Sequence, residues 1–207
     1  FFNRVHPAVQ LLDEQIISLP SGMIPSMTEV EYSRESEAAT LCKSCGLCCT
    51  GHLFSWVRLK ANELTPSEKL GLKVIRNDPR QRGFFQPCPA WHGQCTIYDS
   101  PHYPRGCDSY KCKLLRELLD ESITLHDAQA VVEKTKASIR KVEAQLPKPA
   151  DGSFRDRFIA QVKSLRESSG QGHNRKSREQ AEALLSVIQN SFGVKDFFEE
   201  EEGIAKT

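Results

Sequence analysis

The stretch Leu41-Cys42-Lys43-Ser44-Cys45-Gly46-Leu47-Cys48-Cys49 decides how this chain is read. It opens a segment that continues through Pro87-Cys88-Pro89 and Cys95-Thr96-Ile97-Tyr98 and closes with Cys107-Asp108-Ser109-Tyr110-Lys111-Cys112. All eight cysteines of the 207-residue chain fall inside it. Thiols gathered in such number staple a fold, bind metal or do redox chemistry. Stapling belongs to small secreted domains that lack a core. This chain is long enough to bury a core of its own. No hydrophobic leader, transmembrane run or Asn-x-Ser/Thr acceptor site is visible in it. A reduced, metal-binding cluster is therefore the expectation. The expected compartment is the cytoplasm, or a reducing organelle if a targeting segment has been removed.

Spacing supports the same reading. Cys42, Cys45 and Cys48 follow C-x2-C-x2-C. A C-x2-C turn lets two thiolates converge on one ion while the intervening amides point at the sulfurs. Gly46 stands where such a turn often needs positive φ. The triple run matches the first three ligands of a ferredoxin-type iron–sulfur site, whose remote fourth cysteine is followed by proline. Cys88-Pro89 suits that fourth role, as does a later cysteine. Cys49 directly follows Cys48, and adjacent cysteines chelate one small ion poorly, so the two are candidates for different centres. Eight cysteines also divide into two four-sulfur sites, which zinc accepts. The metal ligands expected are thus Cys42, Cys45, Cys48, Cys49, Cys88, Cys95, Cys107 and Cys112. The cofactor expected is an iron–sulfur cluster, narrowly ahead of zinc.

The pattern C-x2-C-G-x-C-C, then C-P-x5-C-x-I-Y, then C-x2-Y-x-C resembles the YkgJ-type cysteine-cluster family, the CxxCxxCC proteins. The resemblance covers about Leu41 to Cys112 and includes all eight cysteines with Gly46, Pro89, Ile97 and Tyr98. It implies a zinc- or iron-chelating module and names no reaction. The family usually carries Arg-Pro before the seventh cysteine and Arg after it. Here those places read Tyr103-Pro104 and Asp108, which changes the local charge and leaves the ligands.

Working outward, Phe54 to Leu59 has strand character. Thr65-Pro66-Ser67-Glu68 reads as a capping box opening a short helix through about Leu72. Asn77 to Gly83 is turn-rich. Phe84 and Phe85 are expected as an apolar lid beside Cys88. Trp56, Phe84, Phe85 and Trp91 read first as core packing, compatible with a water-excluding shield for a cluster. Of His52, His92 and His102, only His92 has ligand spacing, three residues before Cys95. An exposed histidine before Gly93 is the plainer account.

Upstream, Val9, Leu12 and Ile16 recur at helical spacing, and the polar stretch Thr28–Thr40 reads as an extended lead-in. Downstream, Leu114, Leu115, Leu118 and Leu119 mark one helix face, with Cys112 at its first turn, where the helix dipole favours a thiolate. Thr124 and Asp127 suggest an N-cap for a helix to Leu146. Two further helices are expected over about Phe154–Glu167 and Ser177–Phe192. Ser169–Gly172 reads as a hinge, His173–Lys176 as a solvated basic cluster, and Glu199–Glu202 as an acidic tail.

The expected fold is mainly α, with a small irregular cysteine-rich metal-binding core and a few short strands. The expected regions are 1–40, a helix and polar lead-in; 41–120, the cysteine-cluster domain; and 121–207, a helical region with an acidic tail. A net charge of +1 gives neither a nucleic-acid footprint nor a membrane-steering field. No nucleophile elbow, phosphate loop or two-histidine hydrolytic motif is present. Three roles stay open: a metal-binding protein in electron transfer or assembly, an iron–sulfur oxidoreductase or modifying enzyme, and a structural zinc module presenting its C-terminal helices to a protein partner.

Overall fold

The computed structural model describes residues 29–147, 153–167 and 175–194. The expected helix over Val9–Ile16, the hinge at 169–172 and the acidic tail lie outside them. The described chain is mainly helical, with one small three-stranded antiparallel sheet.

The first helix, α1 (Glu29–Cys45), replaces the expected lead-in. Lys43 lies in its last turn, where a cation complements the macrodipole. Ala38, Leu41 and Cys45, at helical spacing, pack into the core. The stripe closes only when Cys45 is counted as an apolar residue, which free cysteine resembles. Gly46 ends the helix at φ 73°, the left-handed geometry of a C-terminal cap.

The sheet follows. Strands β1 (Trp56–Arg58), β2 (Val74–Ile75) and β3 (Gly83–Phe85) lie in the order β1-β3-β2, with Trp56 opposite Phe85 and Val57 opposite Phe84. The connection from β1 to β2 carries a 3-10 turn (Ala61–Glu63) and helix α2 (Leu64–Lys69). The expected capping box at Thr65 is displaced. One turn earlier the Lys60 amide donates to the Glu63 carboxylate at 2.7 Å and the Glu63 amide to the Lys60 backbone carbonyl at 3.0 Å, with no side-chain acceptor on Lys60. Glu63 is already near-helical, so α2 runs straight on. Pro66 still falls in the first turn, where its missing N–H is not needed. The lid is also corrected. Successive strand residues face opposite sides; Phe84 is buried and Phe85 is 57% exposed.

Beyond the sheet come α3 (Arg105–Ser109) and α4 (Lys113–Leu119), then the long helices α5 (Leu125–Glu143), α6 (Phe154–Glu167) and α7 (Arg175–Phe192). Thr124 caps α5, its hydroxyl accepting from the Asp127 amide at 3.1 Å. The apolar stripes of α4 to α7 close on one another and on Leu41, Leu47 and Leu53. A second, smaller core gathers Leu59, Leu64, Leu72, Phe84 and Ala90 around the sheet. The cysteine segment lies between the two. No helix among the described residues is long and apolar enough to cross a membrane.

Candidate metal centre

Four pieces of backbone bring the cysteines together. Helix α1 presents Cys42 and Cys45, three residues apart and hence on one face. The turn after Gly46 carries Cys48 and Cys49, held by the Thr50 amide donating to the Gly46 carbonyl at 2.8 Å and by the His52 and Leu53 amides donating to the Leu47 carbonyl. The loop after β3 supplies Cys88, whose amide donates to the Cys49 carbonyl at 2.7 Å. It also supplies Cys95, which bridges to Trp91 and donates its amide to the Lys43 carbonyl at 3.0 Å. Cys107 sits on α3, which packs on β1. Cys112 is the N-cap of α4; its Sγ accepts the Leu115 amide at 3.4 Å, as its expected place at the helix start implies.

All eight cysteines are free thiols, each half-buried. Seven of them, all except Cys88, line one cavity of about 240 Å³. Its remaining wall is mostly apolar, with Leu53, Phe54, Trp56, Leu114 and Phe192 among the lining residues. It reaches the exposed Arg58 and Tyr110. Two polar atoms on lining residues, Trp56 Nε1 and Gln86 Oε1, are buried without a hydrogen-bond partner. Among the described residues no three Cys, His, Asp or Glu side chains form a ready-made metal-binding group. The thiols surround a space rather than a point.

Burial first, and neighbouring thiols second, hold most of the thiols neutral. Burial, then the neighbouring Cys112 and Cys95, pushes Cys42 up to about 11. Burial also takes Cys45 and Cys107 to about 12 and Cys48 well above the usual thiol range. Cys95 is the exception. The Cys49 thiol donates to it, and despite burial the amides of Ile97 and Tyr98 and the Tyr103 hydroxyl help hold it down at about 6. Cys49 rises correspondingly. A bound cation inverts this logic, because a coordinating thiol is deprotonated outright.

The donor chemistry fits a thiophilic metal. Thiolate ligands select zinc, Cu(I) and iron–sulfur clusters. Backbone amides already approach Cys45, Cys88, Cys95 and Cys112, the kind of hydrogen bond that tunes a metal–thiolate centre. His92 and His102 are exposed. His52 is turned elsewhere, against Thr50 and edge-on to the Phe154 ring at 4.8 Å.

Several contributors escape sequence reasoning. Lys136 of α5, itself paired with Glu133 at 2.9 Å, and Arg116 of α4 are cations acting on Cys45 and Cys112; Lys43 pairs with Asp99 at 2.7 Å and Lys113 with Glu117 at 3.2 Å. Tyr103 and Gln86 join the cavity wall. None stands at a motif spacing from a cysteine, so only the tertiary fold reveals them. Compared with known protein families, curated proteins and solved structures, the sequence matches none.

Proposed function

We propose that this chain is a metal-binding cysteine-cluster protein carrying an iron–sulfur centre, in an electron-transfer or assembly role. The observation that carries the reading is the cavity of about 240 Å³ walled by seven free thiols. Four thiolates around one zinc lie about 2.3 Å from the metal, which leaves no open space between the sulfurs. A polynuclear cluster with inorganic sulfide occupies such a space, with cysteines at its corners. The apolar wall excludes water, a determinant of cluster potential. The cavity's reach to Arg58 and Tyr110 supports exchange of electrons, or of the cluster, with another protein.

When bound, the cluster supplies one-electron chemistry; the chain's residues hold it, shield it and set its electrostatic surroundings. The resemblance to the YkgJ-type family supports a chelating role and leaves the metal open.

One observation favours a structural zinc module as the second reading. Cys45, Cys48 and Cys112 pack against the main core, so a metal there contributes folding free energy directly. A partner docking on the C-terminal helices meets their polar outer faces, because their apolar stripes are buried in that core.

Anaerobic purification followed by metal and acid-labile sulfide analysis separates the readings. Iron and sulfide in stoichiometric amounts, with visible absorption bleached by dithionite, is the expected result. Colourless protein retaining zinc, and no sulfide after reconstitution, selects the zinc module.

A further inference from the structure

We propose that the eight cysteines form two adjoining four-thiolate sites, Cys42, Cys45, Cys48 and Cys112 in one and Cys49, Cys88, Cys95 and Cys107 in the other. The assignment rests on the metal-binding reading and moves the fourth ligand of the C-x2-C-x2-C run from Cys88 to Cys112.

Three independent observations carry it. First, five of the eight cysteines sort by core. Cys45, Cys48 and Cys112 pack against the large helical core, and Cys88 and Cys107 against the small core around the sheet. Second, Cys112 lines the thiol cavity with Cys42, Cys45 and Cys48, and Cys49, Cys95 and Cys107 line it beside them, whereas Cys88 stands outside it. Helices α1 and α4 pack together, which brings Cys112 to the face that holds Cys42 and Cys45. Third, the second set is wired by its own bonds. The Cys88 amide reaches the Cys49 carbonyl at 2.7 Å, the Trp91 amide reaches the Cys88 carbonyl at 3.1 Å, and Trp91 bridges to Cys95.

Dividing Cys48 from Cys49 also resolves their adjacency, since one small ion is poorly served by two consecutive thiolates.

Serine variants test the assignment. Wild-type protein and variants are reconstituted with ferrous iron and sulfide, and separately with zinc, then analysed by native mass spectrometry, with far-UV circular dichroism confirming the helices. Cys45→Ser, Cys112→Ser and their double variant should each lose the same half of the bound metal. Cys88→Ser, Cys95→Ser and their double variant should lose the other half. Cys88→Ser combined with Cys112→Ser should lose all of it. Retention of half the metal by that cross-pair overturns the assignment, as does loss of all metal in every single variant. Wild-type protein that takes up neither metal refutes the metal-binding reading itself. Where a variant fails to fold, the wild-type protein decides. Partial metal stripping followed by iodoacetamide should alkylate cysteines in the two blocks of four, and alkylation in mixed blocks overturns the partition.

Discussion

The Trp91 indole occupies the space that any side chain at Gly46 would need: a Cβ there would stand 2.1 Å from Trp91 Cζ2. Gly46 also sits at φ 73°, where a non-glycine residue costs about 1–2 kcal/mol. The same glycine ends α1 between Cys45 and Cys48, and Trp91 lies between Cys88 and Cys95. The contact therefore locks the two cysteine-bearing segments together. Gly46→Ala should lower unfolding free energy by more than the backbone cost alone and reduce metal retention. Urea melts and metal analysis of the variant check both, and wild-type values in either would break the link between this contact and the site.

Arg155 ties the C-terminal helices to the cysteine turn. It is 2% exposed, and its Nη1 donates to the Leu53 carbonyl at 2.7 Å across 102 residues of sequence. Hydrogen bonds to a charged group contribute about 1.5–3 kcal/mol. Arg155→Met keeps much of the volume and removes the donor, so a loss of that size is expected in equilibrium unfolding. Amide exchange should quicken over residues 47–53. A stable variant with unchanged exchange there would show that the turn holds without α6.

The cysteine arrangement lies between free-thiol and stapled chemistry, and the structure places it with the former. Protein prepared anaerobically, acid-quenched, denatured and alkylated without reductant should carry eight adducts. Four intact disulfides would refute the reduced cluster.

How far the sequence carries this far is visible in particular residues. The α6 range is read correctly because Phe154, Phe158, Val162 and Leu165 repeat at helical spacing and are buried. Cys112 is placed because a leucine stripe begins two residues after it. Helix α1 is missed because its stripe includes Cys45, which reads as a ligand rather than as packing. The choice between Cys88 and Cys112 is also not legible. Local spacing favours the Cys-Pro pair, whereas the packing of α1 on α4, a long-range relationship, brings Cys112 forward. Lys136 reaches the site from α5, donating to the Ser44 carbonyl at 3.3 Å across 92 residues.

Phe84 and Phe85 should separate cleanly under substitution. Phe84 is 1% exposed within the small core, and truncating a buried phenylalanine costs about 3–5 kcal/mol. Phe85 faces solvent. Phe84→Ala is expected to destabilise by that amount, while Phe85→Ser should change stability by less than about 0.5 kcal/mol. Denaturant unfolding of the two variants measures it. Equal losses would restore the picture of both rings closing a lid.

His52 gives the fold a pH dependence of definite sign. Burial lowers its pKa below the ordinary histidine value; Glu143 acts against the shift and Arg157 with it. Those two side chains pair with each other at 3.0 Å. The unfolded chain therefore binds a proton at His52 more readily than the folded chain does. Stability from the neutral ring is fully present above the unfolded pKa of about 6.5 and is lost as pH falls toward the depressed folded value. Thiol protonation and metal release also act in that range, so the measurement is the difference between wild type and His52→Phe. Urea midpoints taken at descending pH should fall more steeply for wild type, with the two curves separating below about pH 6.5. Parallel curves would mean that His52 is as readily protonated in the folded protein as in the unfolded chain, and that its contact with Phe154 does not exclude water.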